Sequence, residues 1–173
     1  VIGTYAAVGN MTSAANGTVA IGYQALNDLT SGTNNTVVGF QAGDVMTSAN
    51  YNTAFGYQAL SAETVGHAAT AFGDRALGLQ NKGSDANTQN TGLGFFAGYS
   101  NVTGTNNTYV GFEAGKGGTG NNSDNTGVGK QALLAITTGQ YNVAIGSAAG
   151  GPYGEEGVAI MIGIGTLLFH GLA

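Results

Sequence analysis

The chain has 173 residues, 32 of them Gly, with one Pro, no Cys, no Trp, 8% charged residues and a formal net charge of −5. That charged fraction is about a third of the ~25% usual in soluble domains, and with 42% hydrophobic residues it excludes both an ordinary globular composition and the high-charge pattern of disordered chains. Four Lys and Arg in all exclude a nucleic-acid binder, the lack of a Gly-X-Y period excludes collagen, and the lack of Cys excludes disulfide scaffolds and Cys-ligated zinc.

In chain order, an apolar residue, a Gly and, three residues on, an Ala recur. The copies begin with Ile2-Gly3…Ala6, Ile21-Gly22…Ala25, Val38-Gly39…Ala42, Phe55-Gly56…Ala59 and Phe72-Gly73…Ala76. They continue with Leu93-Gly94…Ala97, Val110-Gly111…Ala114, Val128-Gly129…Ala132 and Ile145-Gly146…Ala149. Successive glycines lie 19, 17, 17, 17, 21, 17, 18 and 17 residues apart, and a degraded tenth copy follows at Ile162-Gly163. Positions within a copy are counted from this glycine, so that Ile21 stands at −1 and Ala25 at +3.

Each copy predicts the same local structure. An Asn-Thr-x-apolar run precedes the Gly, as in Asn35-Thr36-Val37-Val38 and Asn52-Thr53-Ala54-Phe55. Under a period of two, positions −3 and −1 share a face, which reads as a short strand whose buried side carries the apolar residue. The Gly suits a bend, a positive φ or a close backbone approach. The Ala is expected to face a space too tight for anything larger. At +4, Leu (Leu26, Leu60, Leu77, Leu133) alternates with Gly (Gly43, Gly98, Gly115, Gly150). The long stretches 78–89 and 116–124 read as loops leaving a regular stack.

A 17-residue unit is too short for a helix pair, a propeller blade or a βαβ unit. A Gly in every motif, with Val, Thr and Asn around it, disfavours helix. The fold class is therefore all-β: a parallel β-solenoid of nine to ten coils, each with two short strands and their turns. It spans residues 1–156, and 157–173 is an apolar terminal coil, cap or docking segment. Asn and Thr recurring in register are expected to form ladders along the rod. Each coil offers about one large apolar residue, an Ala and sometimes a Leu, so one chain encloses a thin core. The −1 stripe is then expected to turn inward to the shared axis of a homotrimer, with the +1 aromatics (Tyr23, Phe40, Tyr57, Phe95, Phe112) between coils or subunits. The rival is a self-contained monomeric triangular β-helix.

Asn52 to Leu60, Asn35 to Gly43 and Thr18 to Leu26 resemble the repeats of bacteriophage tail fibres. They are also similar to the head repeats of bacterial trimeric autotransporter adhesins, where a Val-Ala-Ile-Gly core recurs; Thr18 to Gly22 and Asn142 to Gly146 match that core most closely. The resemblance covers about residues 1–163 and implies a left-handed parallel β-roll assembled as a trimer. It implies a structural and adhesive segment of a phage tail or virion fibre at the virion surface, with a bacterial surface adhesin head or a filament-forming scaffold as alternatives. The expected partners are copies of itself, neighbouring fibre or virion structural proteins, and a cell-surface glycan or protein receptor. Receptor contacts are expected on the loops Gln80 to Asn90 and Lys116 to Asp124. The chain opens at Val1 in mid-motif, so a larger parent protein is expected.

No residue set points to an enzyme, a metal or a cofactor. His67 and His170 are the only histidines and belong to distant coils. The acidic residues Asp28, Asp44, Asp74, Asp85 and Asp124 come at most about one per coil, and the Gly-Gly-x-Gly-x-Asp calcium repeat is missing. Gly115 to Gly120 lacks the Gly-Lys-Ser/Thr of a phosphate loop. Of the Thr-x-Thr rows an ice-binding face needs, only Thr103-Gly104-Thr105 fits. Gly157 to Ala173 carries no formal charge but falls short of the ~20 apolar residues of a spanning helix, so no membrane span is expected.

Overall fold

The computed structural model describes residues 1–9, 12, 15–117 and 122–151. They build one parallel sheet in chain order: β1 (Val19–Ile21), β2 (Thr36–Val38), β3 (Thr53–Phe55), β4 (Thr70–Phe72), β5 (Thr91–Leu93), β6 (Thr108–Val110), β7 (Thr126–Val128) and β8 (Val143–Ile145). The result is a β-solenoid of about seven turns, without helix among the described residues. At about 4.8 Å per coil the strands span on the order of 34 Å.

Register follows the repeat. Thr36 pairs with Thr53, Thr53 with Thr70, Thr70 with Thr91, Thr91 with Thr108 and Thr108 with Thr126. The long step from Gly73 to Gly94 leaves this alignment intact, its extra residues looping out. Of the nine to ten expected coils, the first contributes a single bridge from Ile2 to Ile21. The tenth copy and the whole of 157–173 lie outside the described residues.

The expectation of two strands per coil is corrected: each coil holds one strand of three residues. The rest of the perimeter is made of corners. In the coil of Gly39, left-handed residues stand at −5 (Asn34, φ 56°), +2 (Gln41, φ 52°) and +4 (Gly43, φ 53°), and the same positions repeat along the stack. So tight a circuit leaves no straight run long enough for a second strand. Coil-to-coil hydrogen bonds nevertheless continue around the circuit, as in Gln41 N to Tyr23 O (2.8 Å) and Thr47 N to Thr64 O (2.8 Å). They satisfy the backbone groups that the corners bury.

The interior is filled from four positions, −2, +3, +4 and +7. At −2, Ala20, Val37, Ala54, Ala71, Tyr109 and Ala144 are buried. They meet the +3 stripe, where Ala6, Ala25, Ala42, Ala59, Ala76, Ala97, Ala114, Ala132 and Ala149 are all at most 5% exposed, so the tight space is there. The alternation at +4 is size compensation. Leu77 and Leu133 extend over Gly98 and Gly150, where an added Cβ would lie 2.7 Å from their methyl groups. Tyr109, the largest fully buried side chain among the described residues, lies against Gly98 and Gly115 and has Gly92 and Gly127 as strand neighbours. Burial pushes its phenol well above the usual tyrosine range, although Asn122 Nδ2 donates to its oxygen at 3.1 Å.

Among the described residues the column at +7 begins as Leu29 and Met46, turns polar at Glu63, Gln80 and Asn101, and ends at Ile136. The apolar core is divided there, one cluster reaching Leu77 and the next starting at Ala97. Glu63 is fully buried; its Oε1 accepts from Gly66 N (2.8 Å) and Thr64 N (3.0 Å), and its Oε2 from Gln80 Nε2 (3.1 Å). Gln80 in turn accepts from Asn90 Nδ2 at 2.8 Å. An asparagine ladder runs at −4 through Asn35, Asn52, Asn90, Asn107, Asn125 and Asn142. Ala69 interrupts it, and Gln80 occupies the interrupted stretch.

Candidate interaction surface

The outward side of the strands is not the side that the sequence suggested. Phe55, Phe72, Leu93 and Ile145 are 44 to 48% exposed and Ile2 is 65% exposed. Ile21, Val38, Val110 and Val128 are half-buried. Within one chain, therefore, the −1 stripe lines no core. The bend at the repeat glycines Gly3, Gly22, Gly39, Gly56, Gly73, Gly94, Gly111, Gly129 and Gly146, each with φ between 128° and 145°, curls the coil toward −2 and leaves −3 and −1 outside. At −3 the six paired threonines form one row. Its neighbour on that face is the apolar row, not a second threonine row.

The aromatics at +1 stack coil on coil. Tyr23 and Phe40 lie 5.1 Å apart at 16°, Phe40 and Tyr57 5.4 Å at 10°, and Phe95 and Phe112 5.3 Å at 5°. At −1, Phe55 and Phe72 stack at 4.8 Å. Ring faces are thus covered by neighbouring rings and edges point out, an arrangement worth about 0.5–1.5 kcal/mol per pair beyond burial.

A second ladder runs at +2. Gln41 Nε2 donates to Gln24 Oε1 (2.8 Å), Gln58 Nε2 to Gln41 Oε1 (2.9 Å) and Arg75 Nε to Gln58 Oε1 (3.1 Å). Farther along, Gln131 Nε2 donates to Glu113 Oε2 at 2.9 Å. The intervening residues make a cluster that motif reading missed. The Arg75 guanidinium lies 5.0 Å from the Tyr57 ring centre and 5.3 Å from that of Phe96. Lys116 Nζ is 4.9 Å from Phe96 and donates to Glu113 Oε1 at 2.5 Å. That hydrogen bond from Lys116, helped by the one from Gln131, holds the Glu113 carboxyl below the usual range. The signal was present in the repeat: three consecutive coils give up the glutamine.

The loops expected to meet a receptor are placed in part. His67 Nδ1 accepts from Asn50 N at 3.0 Å, which leaves Nε2 to donate to Asp85. Together with Lys82 Nζ on Thr103 O (3.3 Å) this ties down the loop that follows Gly78. Of the stretch 116–124, only 116, 117 and 122–124 are described. A cavity of about 330 Å3 lined by Leu133, Ile136, Val143, Ala144 and Gly150 opens at the last described coils. Among the described residues, no group of three or more His, Cys, Asp or Glu could hold a metal ion, and no helix is long and apolar enough to cross a membrane.

One acidic side chain has a testable pH signature. Burial, and secondarily the nearby Asp28, push the Asp44 carboxyl above its ordinary value. Deprotonation then favours the unfolded chain, so the contribution of Asp44 is present at acid pH and is lost as pH rises through its folded-state value. Asp44→Asn is expected to match the wild type in acid and to be slightly more stable at neutral pH, as read by urea unfolding at both pH values.

The chain matches no protein-family model, no curated protein and no solved structure.

Proposed function

We propose that this chain is a structural and adhesive fibre segment, part of a phage tail or virion fibre, working at the virion surface as a homotrimer of left-handed β-rolls of nine to ten coils. The observation that carries this reading is the exposed −1 stripe. A large apolar residue from almost every coil stands on one face of a rod, and contiguous apolar surface of this kind marks an interface. Fully burying each such side chain is worth about 1.5–3 kcal/mol. Three copies that turn their stripes to a common axis cover the whole row at once.

The coil-to-coil hydrogen bonds support a mechanical role, since the described coils are tied to their neighbours at the corners as well as at the strands. The loops 80–90 and 116–124 are the segments that meet a cell-surface glycan or protein, the first through exposed residues such as Gly83, Ser84 and Asp85, and three copies convert weak contacts into avidity. Neighbouring fibre or virion proteins join the segment at its ends. Light scattering is expected to return three times the 17.1 kDa chain mass, and Phe55→Asp with Phe72→Asp to return one. A wild-type mass of one chain would remove the reading, and indefinite polymers in electron microscopy would replace it with the filament scaffold.

A further inference from the structure

We propose that Arg75, Phe96 and Lys116 form a binding site for a carboxylate-bearing saccharide on the turn face of the rod. This rests on the fibre reading for the source of the saccharide, a cell surface. The repeat itself supplies the first observation. Position +2 is a left-handed corner, with φ 52° at Gln24 and Gln41, 50° at Gln58 and 57° at Gln131. Glutamine there completes a hydrogen-bonded ladder. Arg75, Phe96 and Glu113 adopt the same corner, at φ 50°, 54° and 55°, so folding does not demand the departure. Phe96 gives up the ladder altogether, and Arg75 keeps it only through Nε on Gln58.

What the departure assembles is the second observation. Arg75 and Lys116 stand 5.3 and 4.9 Å from the same Phe96 ring, and Tyr99 packs edge-to-face on it at 4.7 Å. The side chains of Arg75 and Lys116 are 35% and 36% exposed. Asp74 reaches Arg75 Nη1 only at 3.5 Å, and among the described residues Nη2 finds no hydrogen-bond acceptor. A guanidinium edge left open in this way matches a planar carboxylate in two parallel hydrogen bonds. Lys116 supplies a point charge at the same ring, and Phe96 with Tyr99 offers apolar edges to the C–H groups of a sugar.

Charge distribution points the same way. The chain holds four cations, and Arg75, Lys116 and Lys130 gather here, Lys130 being close enough to act on Glu113. Against Asp74 and Glu113 they leave a local charge of +1 in a chain of net −5. An anionic ligand is drawn to this spot and repelled elsewhere. Three cations are too few for a polyphosphate backbone, whereas a single carboxylate per sugar suits one Arg and one Lys.

The test is affinity electrophoresis of the full chain through gels containing polygalacturonate, neutral dextran or dextran sulfate. The variant R75Q/F96Q/K116N places at each position a residue that another coil already carries there, Gln58 at +2 and Asn27 at +5, so its melting temperature is expected to stay with the wild type. The wild type is expected to be retarded by polygalacturonate more than by dextran sulfate and not by dextran, and the variant to lose at least tenfold in affinity. Equal retardation of the two proteins, no retardation by polygalacturonate, or retardation by dextran sulfate as strong as by polygalacturonate overturns the site. Mass in solution judges the fibre reading apart from it: a trimer that polygalacturonate does not retard loses only the site. A monomer retarded in the wild type but not in the variant keeps the site and loses the fibre.

Discussion

Gly94→Ala is expected to lower the unfolding free energy by about 3 kcal/mol or more, and the melting temperature by roughly 6–12 °C for a chain of this size. Two costs add at this position. The glycine sits at φ 134°, where an L side chain stores about 1–3 kcal/mol of strain. Its Cβ would also stand 2.5 Å from the carbonyl oxygen of Gly111 in the next coil. That carbonyl is held where it is, because it accepts from Ala114 N at 3.3 Å while Gly111 N donates to Leu93 O at 2.8 Å, and Gly111 lies equally close to Gly129, whose carbonyl oxygen would be 2.5 Å from a Cβ there. Strain at one rung is therefore passed along the stack instead of being relaxed locally. Gly83→Asn is the control: nothing lies within 4 Å of a Cβ there and φ is 65°, a conformation Asn accepts, so a change within about 0.5 kcal/mol is expected. A Gly94→Ala protein that melts with the wild type would falsify the close coil-to-coil contact.

The repeat glycine and the +3 alanine were readable because each has a single physical requirement that only one residue type meets. Gly94 must leave room for a carbonyl, and Ala97 must fit a space with no depth. Register was readable for the same reason, since the spacing of these glycines leaves one alignment of the strands. Which face of the strand is buried was not. Ala54-Phe55 and Val37-Val38 put apolar residues at adjacent positions, and a three-residue strand is too short for a period of two to choose between them. Size suggested that Phe55 faces in; the corners decide for Ala54, because an interior bounded by Ala59 and Leu60 has no room for a phenyl ring. The absent second strand was hidden by the polar run between copies, which fits a strand or a chain of left-handed corners equally well. Glutamine at +2 looked like solvated surface until the ladder linked Gln24 to Gln41 and Gln58. Only then did Arg75, Phe96 and Glu113 stand out as departures.

Asn107→Ala is expected to cost about 3–5 kcal/mol, although it removes a polar side chain from an interior that elsewhere prefers alanine. Asn107 is fully buried. Its Oδ1 accepts from Asn125 N (3.0 Å) and Asn125 Nδ2 (3.1 Å), and its Nδ2 donates to Asn90 Oδ1 (3.1 Å) and to Asn122 O (2.6 Å). Truncation takes the side-chain acceptor from the buried N–H of Asn125 and the side-chain donor from the buried carbonyl of Asn122, at about 1–3 kcal/mol for each group left unpaired. Asn107→Asp keeps the shape and the acceptor but sets an oxygen against Asn90 Oδ1 and Asn122 O, so it is expected to lose as much. Ala69 shows how the chain itself lives with alanine in this row: Gln80 reaches over and takes the Asn90 amide at 2.8 Å. Asn142 stands at the last described rung, half-buried, and only hands its donors back to Asn125 Oδ1 (2.9 and 3.0 Å) and to Gln140 O (3.2 Å). Asn142→Ala is therefore expected to cost about 1 kcal/mol. Urea unfolding of the three variants separates the possibilities. A steep loss at Asn107 with a small one at Asn142 identifies a cooperative internal ladder in which each rung holds two neighbours. Equal small losses would mean that each asparagine serves only its own turn, and that the coils are held together by backbone pairing and alanine packing alone.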